Sequence, residues 1–281
     1  RVVVLETPEM KDAAQNLKTA LAAHGVEVER MPFDDATPEQ IIASAEKVAI
    51  ELGQGALIFN ATGGHKLMTL ALSEQLRMAD NLHVLYCETR HDRLDWLAPR
   101  PETEPLADVL TLEDTLITQG LRTTARGERD VHWASEAQAR ETLTRELGDK
   151  ADKIARFFGT LNYLADQCLR NEPDGPYLYE QEFEFAPGGR NAEILQRAQK
   201  ANLLSWDDDT RIVFRSEDAA RYFRGGWLEE YVWTKLRGMR PHDWSVNLRA
   251  TSVKSKAENE FDALVVHRNR LLMIECKTSR F

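Results

Sequence analysis

Two short acidic stretches near the end of the chain, Glu258-Asn259-Glu260-Phe261-Asp262 and Glu275-Cys276-Lys277, hold residue types suited to metal-assisted hydrolysis. Carboxylate oxygens bind hard cations such as Mg²⁺ or Mn²⁺, and a neighbouring lysine can orient an attacking water or offset charge on a phosphorane-like transition state. Both stretches read as strands that turn around Arg268-Asn269. In that register Asp262 faces Glu275 and Glu260 faces Lys277, all four on one side of the hairpin, because side chains two apart share a face. The other side, Phe261, Ala263, Val265, Leu272, Ile274 and Cys276, is apolar. Opposed carboxylates repel, so a sheet gains no stability from placing them there, and a bound cation removes the objection. An ExK triplet alone says little, since exposed Glu–Lys pairs are common on amphipathic strands. The opposed Asp262 and the apolar strands give it weight.

A second signal lies in the front of the chain. Phe59-Asn60-Ala61-Thr62-Gly63-Gly64-His65-Lys66 joins an apolar strand to a helix. Paired glycines let backbone approach a ligand, and a helix N-terminus with a lysine favours phosphate. The motif is neither a Walker A loop nor GxGxxG, and a plain tight turn explains it equally well by itself.

The elements that must position these residues follow from periodicity. Strands at 2–5, 26–33, 55–60 and 83–87 alternate with helices at 9–23, 37–52 and 66–79, which predicts a Rossmann-like α/β layer with a parallel sheet and right-handed crossovers. Thr37-Pro38-Glu39-Gln40 is a helix start with Thr as cap and Pro at the first position. Residues 110–121 read as a strand or a strand plus a turn. Helices follow at 135–147 and 150–169, then a break at Asn171–Pro176, a strand at 178–185, a helix at 192–201, and strands at 203–206 and 212–214 around Asp207-Asp208-Asp209. Helix plus hairpin resembles a winged helix, but an acidic turn repels phosphate, so a connector or dimer element is the expectation. The last part reads as a helix at 227–236 and strands at 244–249, 260–266 and 271–276.

Composition sets outer bounds. The 281 residues predict two domains by length, with 42% apolar and 29% charged residues as in ordinary globular proteins. No apolar run approaches the ~18 residues of a membrane span. No secretory leader is recognisable, and Cys87, Cys168 and Cys276 form no CxxC, which predicts a reducing, cytoplasmic setting without disulfides or a thiolate zinc site. The net charge of −10 divides into +5 over 211–281 and −15 before it, so the basic end is the half suited to nucleic acid.

With these residues in view, the C-terminal segment resembles the PD-(D/E)xK nuclease superfamily, whose acid-bearing helix corresponds to Gly225-Gly226-Trp227-Leu228-Glu229-Glu230. Adjacent helical residues point about 100° apart, so one of Glu229 and Glu230 faces the site. Glu229 is favoured, and the choice stays open. The resemblance implies metal ligation by Asp262, Glu275 and the Cys276 carbonyl, with Lys277 positioning water. The Cys276 thiol reads as a small core residue rather than a nucleophile. The Thr-Gly-Gly-x-Lys turn resembles the ligand motif of CARF domains, and the two ends together resemble the CARF–nuclease effectors of type III CRISPR defence.

That resemblance implies a prokaryotic homodimer activated by a cyclic oligoadenylate, most often the tetra-adenylate, that cleaves DNA or RNA with Mn²⁺ or Mg²⁺ and does not engage membranes. Matching ligand positions are Asn60, Thr62, Gly63, Gly64, His65 and Lys66, with Thr7 and Thr89 as weaker candidates after neighbouring strands. The expected domains are a CARF-like sensor at 1–134, a winged-helix-like connector at 135–215 and a nuclease domain at 216–281. The sensor, opening directly on a strand at Arg1, is expected to lack its first strand and helix. The nuclease domain, stopping four residues past Lys277, is expected to be incomplete, since the superfamily core continues with a helix and strand. Alternative functions are a ligand-regulated DNA-binding transcription regulator and a constitutive DNA-repair nuclease.

Overall fold

The computed structural model describes residues 1–79, 81–170 and 178–278; the break expected at Asn171–Pro176 lies outside the described residues. The chain divides into two compact units. The first takes residues 1–122 with two later pieces, Thr251–Ala257 and Val266–Leu271.

The first unit alternates β1 (Val2–Glu6), α1 (Lys11–Ala23), β2 (Val28–Pro32), α2 (Pro38–Leu52), β3 (Ala56–Asn60), α3 (Lys66–Leu76) and β4 (Asn81–Glu88). The caps act as the sequence suggests. Thr37 Oγ1 accepts the Gln40 amide hydrogen at 3.3 Å, and Gly25 at φ +74° lets the chain leave α1. Met31, Phe33, Ile41, Ala45, Val48, Met68, Leu72 and Leu76 form the core, with Val3, Leu5, Leu57 and Phe59 packed on it.

The expected parallel sheet holds only in part. β1 pairs with β2 and β3 with β4 in parallel, but β5 (Arg93–Ala98) and β6 (Glu102–Pro105) extend the second sheet antiparallel. The reason is connection length: a parallel return needs a dozen residues or more, and the link from β4 to β5 spans four. Residues 110–121 are corrected from strand to helix. α4 (Leu112–Thr118) starts with a capping box in which Thr111 and Asp114 exchange bonds, and Leu112 and Leu116 bury one helical face.

The chain enters the second unit along β7 (Leu121–Ala125), followed by α5 (Val131–Ala139), α6 (Glu141–Asp149) and α7 (Ala151–Leu169). Then come β8 (Glu180–Glu182), α8 (Arg190–Lys200), β9 (Leu204–Trp206), β10 (Arg211–Phe214) and α9 (Glu217–Arg221). β10 lies between β8 and β9 in an antiparallel sheet, the helix-plus-hairpin arrangement read from the sequence. Phe157, Phe158, Leu161, Leu195, Trp206, Phe214 and Phe223 bind this region to α7 in one core. α10 (Trp227–Met239), β11 (Asp243–Ser252), β12 (Glu258–His267) and β13 (Arg270–Ile274) complete the chain, and the sheet order is β13-β12-β11-β7. β12 is interior: Ala263, Leu264, Val265 and Val266 are buried, so its second half is covered on both faces. β13 is an edge strand, and Leu272, expected on a wholly apolar face, is 57% exposed. Among the described residues no helix is long and apolar enough to cross a membrane.

Candidate functional site

The hairpin that carries the acidic cluster turns where the sequence places the turn. β12 ends at His267 and β13 begins at Arg270, with Arg268 at φ +52° and Asn269 at φ +54° between them. Two central residues at positive φ make a two-residue turn matched to the twist of the strands. The regular ladder stops at Ile274, short of the expected Cys276. A side chain takes over there: Asp262 Oδ2 accepts the Cys276 amide hydrogen at 2.6 Å.

α10 brings the third carboxylate. Glu229 and Glu230 diverge as adjacent helical residues must. Glu230 is 2% exposed, and its carboxylate accepts hydrogen bonds from Arg140 at 2.6, 2.9 and 3.1 Å and from Thr144 Oγ1 at 3.3 Å. It serves the packing of α6 against α10. Glu229 instead interacts with Asp262, Glu260 and Asn247. Burial first, then the Asp262 charge, pushes its carboxyl up to about 7, while a hydrogen bond from Asn247 pulls the other way. Burial and the charges of Asp262, Glu229 and Glu275 push the Cys276 thiol up to about 12, which keeps it protonated and unfit as a nucleophile. Glu275 pairs with Lys277 at 3.3 Å, and exposed Glu260 pairs with Arg249 at 3.7 Å.

A carboxyl raised by burial and then by a neighbouring carboxylate, among oxygen donors, has the chemistry of a hard-cation site. As the side chains stand, no three His, Cys, Asp or Glu groups among the described residues are close enough together to hold an ion. Asp262 is engaged by the Cys276 amide and Glu275 by Lys277. Asn247 is the member that the sequence reading missed. It holds φ +46° inside β11, a conformation Asn tolerates better than most residues, and nothing in its sequence neighbourhood announces it.

In the first unit, Asn60, Thr62, Gly63, Gly64, His65 and Lys66 share the turn from β3 to α3. The Asn60 side chain accepts the Thr62 amide hydrogen at 3.0 Å, and Thr62 Oγ1 accepts the Cys87 amide hydrogen at 2.6 Å, which pins the turn to β4. Gly64 adopts φ +77°, and a Cβ at Gly63 would meet open space. Thr62 through Lys66 are exposed, and no side chain caps the first amides of α3. Those free amides, the helix dipole and Lys66 favour an anion. His65 Nε2 lies 3.5 Å from Asp35, a neighbour the sequence did not suggest. Thr7 follows β1 and is buried, while Thr89 follows β4 and is exposed.

Comparison with known proteins agrees at both ends. Residues 1–115 match the family model described as the Card1 CARF domain, and residues 216–281 match the Card1-like endonuclease domain. No curated protein sequence matches the chain. Among solved structures, Can2 from Sulfobacillus thermosulfidooxidans, in complex with cyclic tetra-adenylate, is similar at TM-score 0.77 and 22% identity over 100% of this chain and 71% of its own. Protein VC1899 from Vibrio cholerae gives TM-score 0.78 and 23% identity over 98% of this chain and 72% of its own. At such identities these two show the fold. The family matches carry the assignment: the chain has a Card1-type CARF domain at its start and a Card1-like endonuclease domain at its end.

Proposed function

We propose that the chain is a nuclease activated by a cyclic oligoadenylate, cyclic tetra-adenylate in the first instance, that cleaves DNA or RNA with Mn²⁺ or Mg²⁺ in type III CRISPR defence. The observation that carries this reading is the raised carboxyl of Glu229 beside Asp262, in a chain whose other unit presents the exposed Gly63-Gly64 turn. A part-buried Glu229 beside the Asp262 charge is costly, and a metal ion would offset that cost. We assign the sensor to 1–134, the connector to 135–215 and the nuclease domain to 216–281.

Asp262, Glu275 and the Cys276 carbonyl would hold the cation, with Glu229 as the third carboxylate. When bound, it supplies Lewis-acid activation of the phosphodiester. Lys277 carries the ammonium that orients the attacking water and offsets developing negative charge, and Glu275 at 3.3 Å keeps it near the cluster. Glu260, farther out and exposed, adds negative potential. On the sensor side, Lys66 and the first amides of α3 take phosphate, with Asn60, Thr62, Gly63, Gly64 and His65 around the ring and Thr7 and Thr89 at the flanks. A cyclic ligand that engages two such turns suits a homodimer. Leu67 and Leu70, 54% and 66% exposed at three-residue spacing on α3, are the apolar surface that favours one.

The test is cleavage of labelled single-stranded DNA, RNA and supercoiled plasmid with Mn²⁺ or Mg²⁺, with and without cyclic tetra-adenylate, beside Glu275→Ala. Cleavage that needs metal and activator, and disappears in the variant, is the expected result and identifies the substrate. Sequence-specific duplex binding without cleavage, or cleavage indifferent to the activator, would overturn it.

A further inference from the structure

Asn247 holds φ +46° in the middle of β11, where a regular strand residue has negative φ. A left-handed residue breaks the pleat and re-aims its side chain, the use that bulges have beside active sites. Its neighbours fix the strand on either side. Val246 and Leu248 are fully buried, and Val246 packs in one core with Trp233 and Leu236 of α10, the helix that carries Glu229.

Three successive residues after β7 surround that position, all within the second unit. Arg126 Nη1 and Nη2 donate to the Asp243 carboxylate at 3.1 and 3.5 Å. Glu128 Oε2 accepts the Ser245 hydroxyl hydrogen at 2.6 Å and the Val246 amide hydrogen at 3.2 Å. Between them, Gly127 has no room for a side chain: a Cβ there would lie 2.7 Å from Asn247 Cβ and 2.8 Å from the Val246 carbonyl oxygen. Arg126-Gly127-Glu128 thus grips β11 from Asp243 to Asn247, while the Asn247 side chain hydrogen-bonds Glu229. Strained backbone persists where the surrounding structure over-determines it, as these contacts do.

Resting on the proposed metal-dependent cleavage, we propose that Asn247 is a positioning residue whose carboxamide holds Glu229 beside Asp262, and that Arg126-Gly127-Glu128 is the buttress that keeps it there. An amide donor on one oxygen of a carboxylate leaves the other for a cation. A ligand held in this way is oriented before the ion arrives, and such partners are typically worth roughly 10–100-fold in metal affinity.

The test compares wild type with Asn247→Gly, which keeps the positive φ and removes the carboxamide, and with Gly127→Ala, whose methyl group must push Asn247 or the Val246 carbonyl aside. Mn²⁺ affinity is measured by calorimetry, the unfolding midpoint in urea without metal, and plasmid cleavage with cyclic tetra-adenylate over a range of Mn²⁺ concentrations. Asn247→Gly should unfold at the wild-type midpoint, bind Mn²⁺ roughly tenfold more weakly or worse, and recover cleavage as Mn²⁺ is raised. Gly127→Ala should show the same weakened affinity. Unchanged Mn²⁺ affinity in Asn247→Gly, a lowered midpoint, or cleavage that excess Mn²⁺ does not restore each overturns the positioning role. A folded Gly127→Ala with wild-type affinity overturns the buttress. A wild type that binds no Mn²⁺ overturns the parent reading as well, so the two failures are distinguishable.

Discussion

Glu229 and Glu230 are neighbours in sequence with opposite fates. Glu230 is buried against Arg140, so Glu230→Ala removes the main partner of that guanidinium, leaving Glu136 at 3.8 Å, and should cost about 3 kcal/mol of stability, read by denaturant unfolding. Glu229→Gln should instead preserve the fold and abolish cleavage. It also has a pH signature. A carboxyl raised to about 7 in the folded state binds a proton that the unfolded chain releases near its ordinary value, so metal-free stability falls as pH rises from about 4.5 to about 7. Glu229→Gln should remove that part of the slope and stabilise the metal-free protein at pH 8 by about 1–3 kcal/mol. Thermal unfolding across pH 5–8 for both proteins checks it, and an unaltered slope would contradict the assigned crowding. The turn at Arg268-Asn269 was legible because two residues between apolar strands fit a tight hairpin turn. The Glu229/Glu230 choice was not, since it depends on where Arg140 lies, ninety residues away.

At the scale of elements, strongly periodic segments and their caps were readable, and the weak ones were not. α4 was misread because its buried Leu112 and Leu116 sit in a segment short enough to fit either period. The helix depends on its cap. Thr111 Oγ1 accepts the Asp114 amide hydrogen at 3.2 Å, and Thr111→Ala should cost about 1 kcal/mol, a fall of roughly 2–4 °C in melting temperature. Burial pushes Asp114 up, but hydrogen bonds from Thr111 and His24 outweigh it and hold the carboxyl below its usual range. That contribution is present above the ordinary carboxylate pKa and is lost as pH falls through the folded value. The turn at Arg268-Asn269 was visible in sequence. What grips it was not, because Asp108, Val109 and Leu110 approach from about 160 residues away.

For the whole molecule, the opposed charges of the two ends and the two chemical signals already pointed to a sensor joined to a hydrolase, and the fold and family matches agree. Assembly was beyond periodicity, because exposed apolar residues show only in three dimensions. Leu70→Glu should shift the protein toward monomer in sedimentation equilibrium and remove activation with it, and a dimer unchanged by the substitution would exclude that face of α3. The account stands most directly on whether one site gates the other. Plasmid cleavage with Mn²⁺ by wild type, Lys66→Ala and Glu275→Ala, each with and without cyclic tetra-adenylate, separates the sites in one assay. The account predicts ligand-stimulated cleavage by wild type, residual unstimulated cleavage by Lys66→Ala, and none by Glu275→Ala. Cleavage by Glu275→Ala at the wild-type rate, or full stimulation of Lys66→Ala, would contradict it.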